Sequence, residues 1–408
     1  MTTGIAAVDR ASSDTATAPA LSGRALGMLG PGGDDGWGVL YRARRLEAAG
    51  ETVVNLAVGD HDIHTDPAIL DAMDASARAG HLGYTSVAGI LPLRQAVAAR
   101  LSRGGVPIGP EAVQITTGGQ GALFTAMMVA LDPGQSCLLL DPFYASYEQT
   151  VRAASGEPIA VPTRAEDGFQ PDVAAIAAAL RPDTRAILIN TPNNPTGVVY
   201  ARERLEALGA LCRRHGLWLI SDEVYESQVF DGAHVSPRDL PGLAGHCLVV
   251  GSLSKSHAMT GARLGWLAGP EEAVARGGDL ATAMVYGLPG FIQDAGLAAL
   301  RDHAAVEQAI AARYRARRDA VMESLGNAGA VRAARPAAGM YVLLDIRATG
   351  LSGSAFAERL LEETRIAAMP GESFGRAAAG HLRVALVKPE AELSAAIATI
   401  RAFAERLA

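Results

Sequence analysis

Cysteine is scarce: three residues in 408, at positions 137, 212 and 247. Their wide spacing excludes a C-x-x-C redox or thiolate zinc pair and gives no disulfide framework, so a reducing, cytoplasmic setting is expected. Excess positive charge is also missing, since 36 Lys and Arg face 43 Asp and Glu for a formal charge of -7. That argues against a broad nucleic-acid or anionic-lipid surface, although local cationic pockets remain open. Long apolar runs are absent: the stretch from Gly121 to Leu131 is bracketed by Thr117, Gln120 and Asp132, well short of the roughly 18 residues of a membrane span. The first basic residue is Arg10, and Ser, Thr and Pro break the segment before Leu26, so no secretory signal is visible. What is present is ordinary for a folded protein: 49% apolar and 19% charged residues, with 45 Gly and 21 Pro. At about 150 residues per domain the length allows two or three domains.

Residues 1–30 are rich in Ala, Thr, Ser and Gly without a period, and a loose extension with little chemistry is expected there. From Asp66 to Leu300 helical segments alternate with short apolar runs, Ala186 to Ile189, Leu217 to Ile220 and Leu248 to Val250, the pattern of a parallel sheet with crossover helices. Each run is followed by unusual polar residues: 190–197, 221–225 and 252–263. Ligands of open α/β sheets bind beyond the carboxyl ends of the strands, so these segments are expected to converge. A long charged helix is expected over Asp294 to Leu325, followed by strands at Met340 to Ile346 and Leu382 to Val387 and amphipathic helices at Gly353 to Glu363 and Glu390 to Arg406. The expected fold is α/β: a three-layer sandwich around a mostly parallel sheet over 66–300, plus a smaller α+β domain from 31–65 and 301–408.

Four motifs carry chemistry. Gln114-Ile-Thr-Thr-Gly-Gly-Gln-Gly runs from a strand through a glycine turn into a helix, and suits either a phosphate cradle at the helix N-terminus or an ordinary tight turn. Asn190-Thr-Pro-Asn-Asn-Pro-Thr-Gly has more constraints than a plain turn needs and presents a side-chain amide. Ser221-Asp-Glu-Val-Tyr offers an Asp to a cationic ring nitrogen and a Tyr to a nearby oxygen, although a helix N-cap reads similarly. Ser252-Leu-Ser-Lys-Ser-His-Ala-Met-Thr-Gly-Ala-Arg sets Lys255 between two hydroxyls after an apolar strand, where its amine could form an imine with an aldehyde. Alone, Lys255 would pass for a surface charge.

In this order and approximate spacing the four motifs resemble the class I/II aminotransferases, the fold type I pyridoxal phosphate enzymes. The resemblance runs from about Asp35 to Leu407 and adds Val58-Gly59-Asp60, His81-Leu-Gly-Tyr84, Asp141-Pro-Phe-Tyr144, Pro370-Gly-Glu-Ser-Phe-Gly and Leu382-Arg383-Val384. It implies that Lys255 binds pyridoxal 5'-phosphate covalently and moves the substrate's Cα proton. Asp222 would pair with the ring nitrogen, Asn194 and Tyr225 with the phenolic oxygen, and Tyr144 would stack on the ring. The phosphate would lie among Gly119, Gln120, Gly121, Ser252, Ser254 and Arg263. Tyr84 resembles the tyrosine that reaches the phosphate of a neighbouring subunit, which implies a homodimer with active sites at the interface. Arg383 would clamp the α-carboxylate, beside Gly59, with Tyr144 and Asn194 also near the substrate; its planar fork suits that task better than lysine would.

Within the class, 252–261, 286–295 and 379–387 look most like the arginine:pyruvate aminotransferase branch. Gln120 stands where similar aspartate aminotransferases carry a lysine for the distal carboxylate, which weakens an aspartate donor. Aspartate or aromatic amino acid transamination, or β-elimination by a C–S lyase or racemisation on the same scaffold, are the alternatives, since the cofactor motifs do not fix the fate of the Cα carbanion. A transcription regulator built on this fold is expected to carry a DNA-binding domain ahead of it, for which roughly 30 residues are too few. His61 and His64, with Asp62 and Asp66, could suggest a metal site, but no third and fourth ligand of metal spacing follows. No metal is expected, and one of the two histidines is expected to tune side-chain recognition from an entrance loop.

Overall fold

Apolar runs that stop abruptly at polar residues become strands buried on both faces. The computed structural model describes residues 19–408 except 31, 32, 34, 303 and 328. Seven strands lie in the spatial order Val113–Thr117, Leu264–Ala268, Cys247–Ser252, Trp218–Asp222, Thr184–Asn190, Ser136–Asp141 and Glu157–Pro162. Neighbours from Cys247–Ser252 to Glu157–Pro162 are parallel, whereas Leu264–Ala268 runs antiparallel to both of its neighbours.

Side-chain alternation fills a layer on each side. Ala186 and Leu188 pack with Leu123 and Met127 of the helix Gly118–Ala130. Ile187 and Ile189 point the other way, onto Leu205 and Leu208 of the helix Arg202–His215. Both faces are therefore covered, as a parallel sheet requires, and each fully buried Leu or Ile contributes about 1.5–3 kcal/mol. Gly216, at φ +63°, ends the second helix in a left-handed turn.

A second, four-stranded antiparallel sheet has the order Met369–Pro370, His381–Ala385, Tyr341–Asp345 and Arg332–Ala333. Its core holds Phe356 of helix Gly353–Thr364, Phe403 of helix Glu390–Glu405 and Tyr314 of helix Ala304–Leu325. Val39, Leu40 and Ala43 of helix Gly38–Ala48 join the same core, and Val54–Asn55 pairs in parallel with Ile366–Ala367. Early and late segments of the chain thus close on each other around one apolar centre.

Two expectations need correction. The charged stretch expected as one helix is two, Gly290–Asp302 and Ala304–Leu325. The loose N-terminal segment falls outside the described residues over 1–18, and within 19–30 Ser22 caps a short helix, Gly23–Leu26. All three cysteines are buried and unpaired.

Candidate active site

Strand register assembles the site. Asn190 pairs with Asp222, and Asp222 with Val250, two residues before Ser252. Ser252 in turn pairs with Gly265, and Thr117 with Leu264. The polar residues that end these strands therefore share one edge of the sheet, and there they border a cavity of about 300 Å³. Gly119, Gln120, Tyr144, Asn194, Asp222, Tyr225, Ser252, Ser254, Lys255 and Arg263 line it, with Gly59 and Arg383 opposite.

At the sheet wall Asp222 is buried, accepting from the Tyr147 hydroxyl at 2.6 Å and the Val224 amide at 3.2 Å. Burial pushes its carboxyl up to about 6, because both partners are neutral and neither repays a desolvated charge. A carboxylate in that state fits a cationic ring nitrogen. Asn194 is held by its own backbone amide, which donates to Asn190 Oδ1 at 2.7 Å, while Asn190 Nδ2 donates to the Asp222 carbonyl. Asn194 Nδ2 and the Tyr225 hydroxyl meet at 3.5 Å, and the Tyr225 and Tyr341 hydroxyls at 3.2 Å. Burial, and then Tyr341, hold the Tyr225 hydroxyl well above its ordinary range, so it stays a donor. The Tyr144 hydroxyl is likewise pushed up to about 12 by burial.

The anion end combines a helix N-terminus with a guanidinium. Gly118, at φ +71°, opens the helix Gly118–Ala130, and a Cβ on it would fall 2.6 Å from Arg263 Nη2. Only glycine lets the arginine approach this closely. With Ser252 and Ser254 beside them, these groups fit a phosphate. Gly121, three residues beyond Gly118, borders a neighbouring cavity rather than this one.

Lys255 sits on the helical turn Leu253–Ser256, half-buried, and its Nζ donates to the Gly59 carbonyl at 2.6 Å. Gly59 is forced by packing: a Cβ there would lie 1.8 Å from the Tyr341 hydroxyl. Arg383 is buried between the rings of Tyr341 and Phe374, 4.3 Å from each centroid. It donates to Asn194 Oδ1 at 3.0 Å and to the Ala57 carbonyl, and its Nε has no partner. A desolvated guanidinium without a carboxylate beside it fits an incoming substrate anion.

Tyr147, Tyr341, Trp37 and Asp60 also border the cavity and were not anticipated. Tyr147 opens the helix Tyr147–Ala153, three residues after Tyr144, which lies outside that helix. Tyr341 shares a sheet face with Leu343, the register partner of Arg383. Gln120 Nε2 donates to Thr150 Oγ1 at 2.7 Å and Oε1 accepts from Ser146 Oγ at 3.0 Å, so this part of the wall is polar and uncharged. Tyr84 lies away from the cavity of its own chain, 89% exposed and edge-on to Tyr286.

The histidines depart from expectation. His61 turns away from the cavity to meet Tyr314, with Nδ1 and the hydroxyl 2.9 Å apart, and His64 is exposed. Their acidic neighbours are engaged as well: Asp62 pairs with Arg317 and Asp66 caps the helix Pro67–Arg78. Elsewhere, Glu223, Glu226 and His234 bring ligand atoms within 4.8 Å of one another, but Arg100 already neutralises Glu226 at 2.8 Å.

The family model for aminotransferase class I and II matches residues 51–400. An arginine–pyruvate transaminase of Pseudomonas aeruginosa is 43% identical over 352 residues, 86% of this chain and 90% of the relative. An aspartate/prephenate aminotransferase of Thermus thermophilus is 37% identical over 362 residues, 87% and 92% of the two chains. Among solved structures, Thermus thermophilus aspartate aminotransferase with maleate superposes with a TM-score of 0.87 at 34% identity, covering 94% of this chain and 99% of that one. An aromatic aminotransferase from Pyrococcus horikoshii gives 0.83 at 30%, covering 89% and 99%.

Proposed function

The chain belongs to the class I and II aminotransferases, which depend on pyridoxal phosphate, and from that premise we propose that it moves the amino group of arginine to pyruvate in two half-reactions. The donor assignment is carried by one observation: the cations lining the cavity are Lys255, Arg263 and Arg383. In this proposal each already has a task, leaving none for a second substrate carboxylate, while Asp60 adds a negative charge to the wall and Gln120 only a neutral amide. A distal guanidinium suits such a wall better than a distal carboxylate does. Similarity to the arginine–pyruvate transaminase of Pseudomonas aeruginosa supports the same donor.

When bound, the cofactor supplies an electron sink for the substrate's Cα. Asp222 keeps the ring nitrogen charged, and Tyr147 holds Asp222 in place. Asn194 and Tyr225 would donate to the phenolic oxygen, Tyr144 would cover the ring, and Gly119, Gln120, Ser252, Ser254 and Arg263 would hold the phosphate. Arg383 orients the α-carboxylate beside Gly59, and Lys255 holds the cofactor and then carries the Cα proton, a positioned general base and acid. These groups sit between a large domain over 66–300 and a small one from 31–65 and 301–408.

A homodimer completes the proposal. Leu82, Tyr84, Met284, Val285 and Tyr286 are all at least 42% exposed, and an apolar surface of this kind suits a second copy, which would bring Tyr84 to its partner's phosphate site. No helix among the described residues is long and apolar enough to cross a membrane, and a cytoplasmic location fits the three unpaired cysteines.

The test is a spectrophotometric half-reaction screen of the twenty amino acids, followed by a panel of 2-oxo acids. Arginine is expected to lead aspartate by at least about tenfold, the factor that 1.4 kcal/mol of differential binding supplies, with pyruvate the best acceptor. Aspartate in the lead would overturn the donor; pyruvate and ammonia formed without an acceptor would point to elimination.

A further inference from the structure

His61 is half-buried in a place where the proposed chemistry gives it no task. Its ring lies edge-on to Tyr314, with centroids 5.5 Å apart, its Nδ1 and the Tyr314 hydroxyl are 2.9 Å apart, and its Nε2 is buried without a partner. The segment it belongs to is fixed from two sides. On one side Tyr314 and Arg317, three apart on the helix Ala304–Leu325, hold His61 and Asp62; Arg317 reaches both Asp62 oxygens at 2.7 Å and the Leu386 carbonyl at 3.0 Å. On the other, the loop after Lys255 holds Asp60 through Thr260 Oγ1 at 2.9 Å and Thr65 through the Ala258 carbonyl at 2.7 Å. Gly59 immediately precedes this anchored segment, and its carbonyl accepts from Lys255 Nζ at 2.6 Å.

We infer that His61, through Tyr314, is a positioning residue for Lys255: it fixes the backbone of 59–62 so that the Gly59 carbonyl meets the lysine amine while that amine carries the Cα proton. This rests on the assignment of Lys255 as the proton carrier. The bond to Gly59 uses an N–H of the amine form, the form in which the lysine takes up and releases the proton, so a displaced carbonyl would misdirect it. Gly59 has no side chain with which to anchor its own carbonyl, so beyond its packing against Tyr341 its neighbours must orient it.

An imidazole suits the position for an electrostatic reason. The groups facing it are Lys255, Asp60, Asp62, the Ser254 backbone and Tyr314. Burial first, and then the Lys255 charge, push the ring down to about 4, so at neutral pH it bonds Tyr314 without placing a second positive charge beside the lysine. A lysine or arginine there would disfavour the protonated form that Lys255 takes on when it carries the proton.

The test uses the loaded holoenzyme with His61→Phe, His61→Asn, Tyr314→Phe and, as a control, the exposed His64→Ala. His61→Phe and Tyr314→Phe are expected to slow the half-reaction about tenfold at nearly unchanged donor KM, a loss within the range of misplaced catalytic groups. They should also raise the isotope effect of a Cα-deuterated donor and shift the pH midpoint of the lysine–cofactor absorbance. His61→Asn, which keeps a hydrogen-bonding group for Tyr314, should restore the rate to within about threefold of the parent, and His64→Ala should behave as the parent. Unchanged isotope effect and absorbance midpoint in both His61→Phe and Tyr314→Phe, whatever happens to thermal stability, would reduce His61 to packing and overturn the inference. If the parent performs no half-reaction, the functional proposal fails instead; the absorbance midpoint still reads the placement of Lys255.

Discussion

The two walls of the cavity are built in different ways. The sheet wall, with Asn194, Asp222, Ser252 and Lys255, comes from strand ends already levelled by parallel register, Asn190 beside Asp222 and Asp222 beside Val250. The opposing wall is assembled from Gly59, Tyr341 and Arg383, three segments that meet only through the second sheet and its core. On the first wall a single motif carries both the reactive residue and the strand that aims it. On the second, each residue depends on contacts hundreds of positions away, such as Arg383 with Asn194 and Ala57. In the proposed assignment, cofactor chemistry therefore falls to the locally encoded wall, and substrate recognition to the one that tertiary packing creates.

Substitutions should separate the walls, and the largest effect belongs to Lys255→Ala. It should abolish the lysine–cofactor absorbance and lower turnover by more than about 10³-fold, since in the proposed assignment it removes both the covalent attachment and the proton carrier. Retained transamination would break the division outright. Arg383→Lys, on the other wall, should leave that absorbance intact and lower kcat/KM about 10²-fold, because an ammonium cannot reproduce a fork seated between two rings and bonded to Asn194. A smaller value, with the absorbance disturbed, would mean that the walls are not independent.

Asp222 gives a pH signature confined to the sheet wall. Without a cation beside it, Asp222 ionises only above about 6, and a charged ring nitrogen favours its ionised form. Cofactor binding then expels a proton below that pH, so affinity should fall by up to about tenfold per pH unit as pH drops below about 6. Titrating cofactor affinity against pH checks this: Asp222→Asn should remove that part of the slope and weaken binding at neutral pH. The smallest effect is expected from Gln120→Lys, which adds a cation to a solvated wall. It should improve aspartate relative to arginine about fivefold in kcat/KM, the scale of a partly screened charge pair.

The same contrast explains what could be read from the chain. Lys255, Asp222 and Asn194 were legible because each lies at the end of an apolar run inside a motif with tight spacing. Tyr147 was not, since its hydroxyl matters only because the helix Tyr147–Ala153 folds back over Asp222. Tyr341 and Trp37 were invisible for a related reason: a strand aromatic and a pre-helix tryptophan look like core until the second sheet closes on the first. His61 was noticed for the wrong property. Its sequence neighbours Asp62 and Asp66 suggested an entrance loop or a metal, whereas the helix Ala304–Leu325, some 250 residues away, turns it inward to Tyr314 and engages Asp62 through Arg317. Among elements, the boundary between Gly290–Asp302 and Ala304–Leu325 was missed because charge and helical periodicity continue across it.

The central claim is a two-step transfer in which both walls act on one substrate. A single-turnover experiment tests it most directly: purified enzyme loaded with pyridoxal phosphate is mixed with arginine and no acceptor, and the absorbance of the lysine-bound cofactor is followed while released products are quantified. The account predicts loss of that absorbance with one equivalent of the 2-oxo acid of arginine per active site, no free ammonia, and full recovery of the absorbance with release of alanine when pyruvate is added. Absorbance that stays unchanged with every amino acid, or ammonia released in place of the recovery, would contradict it.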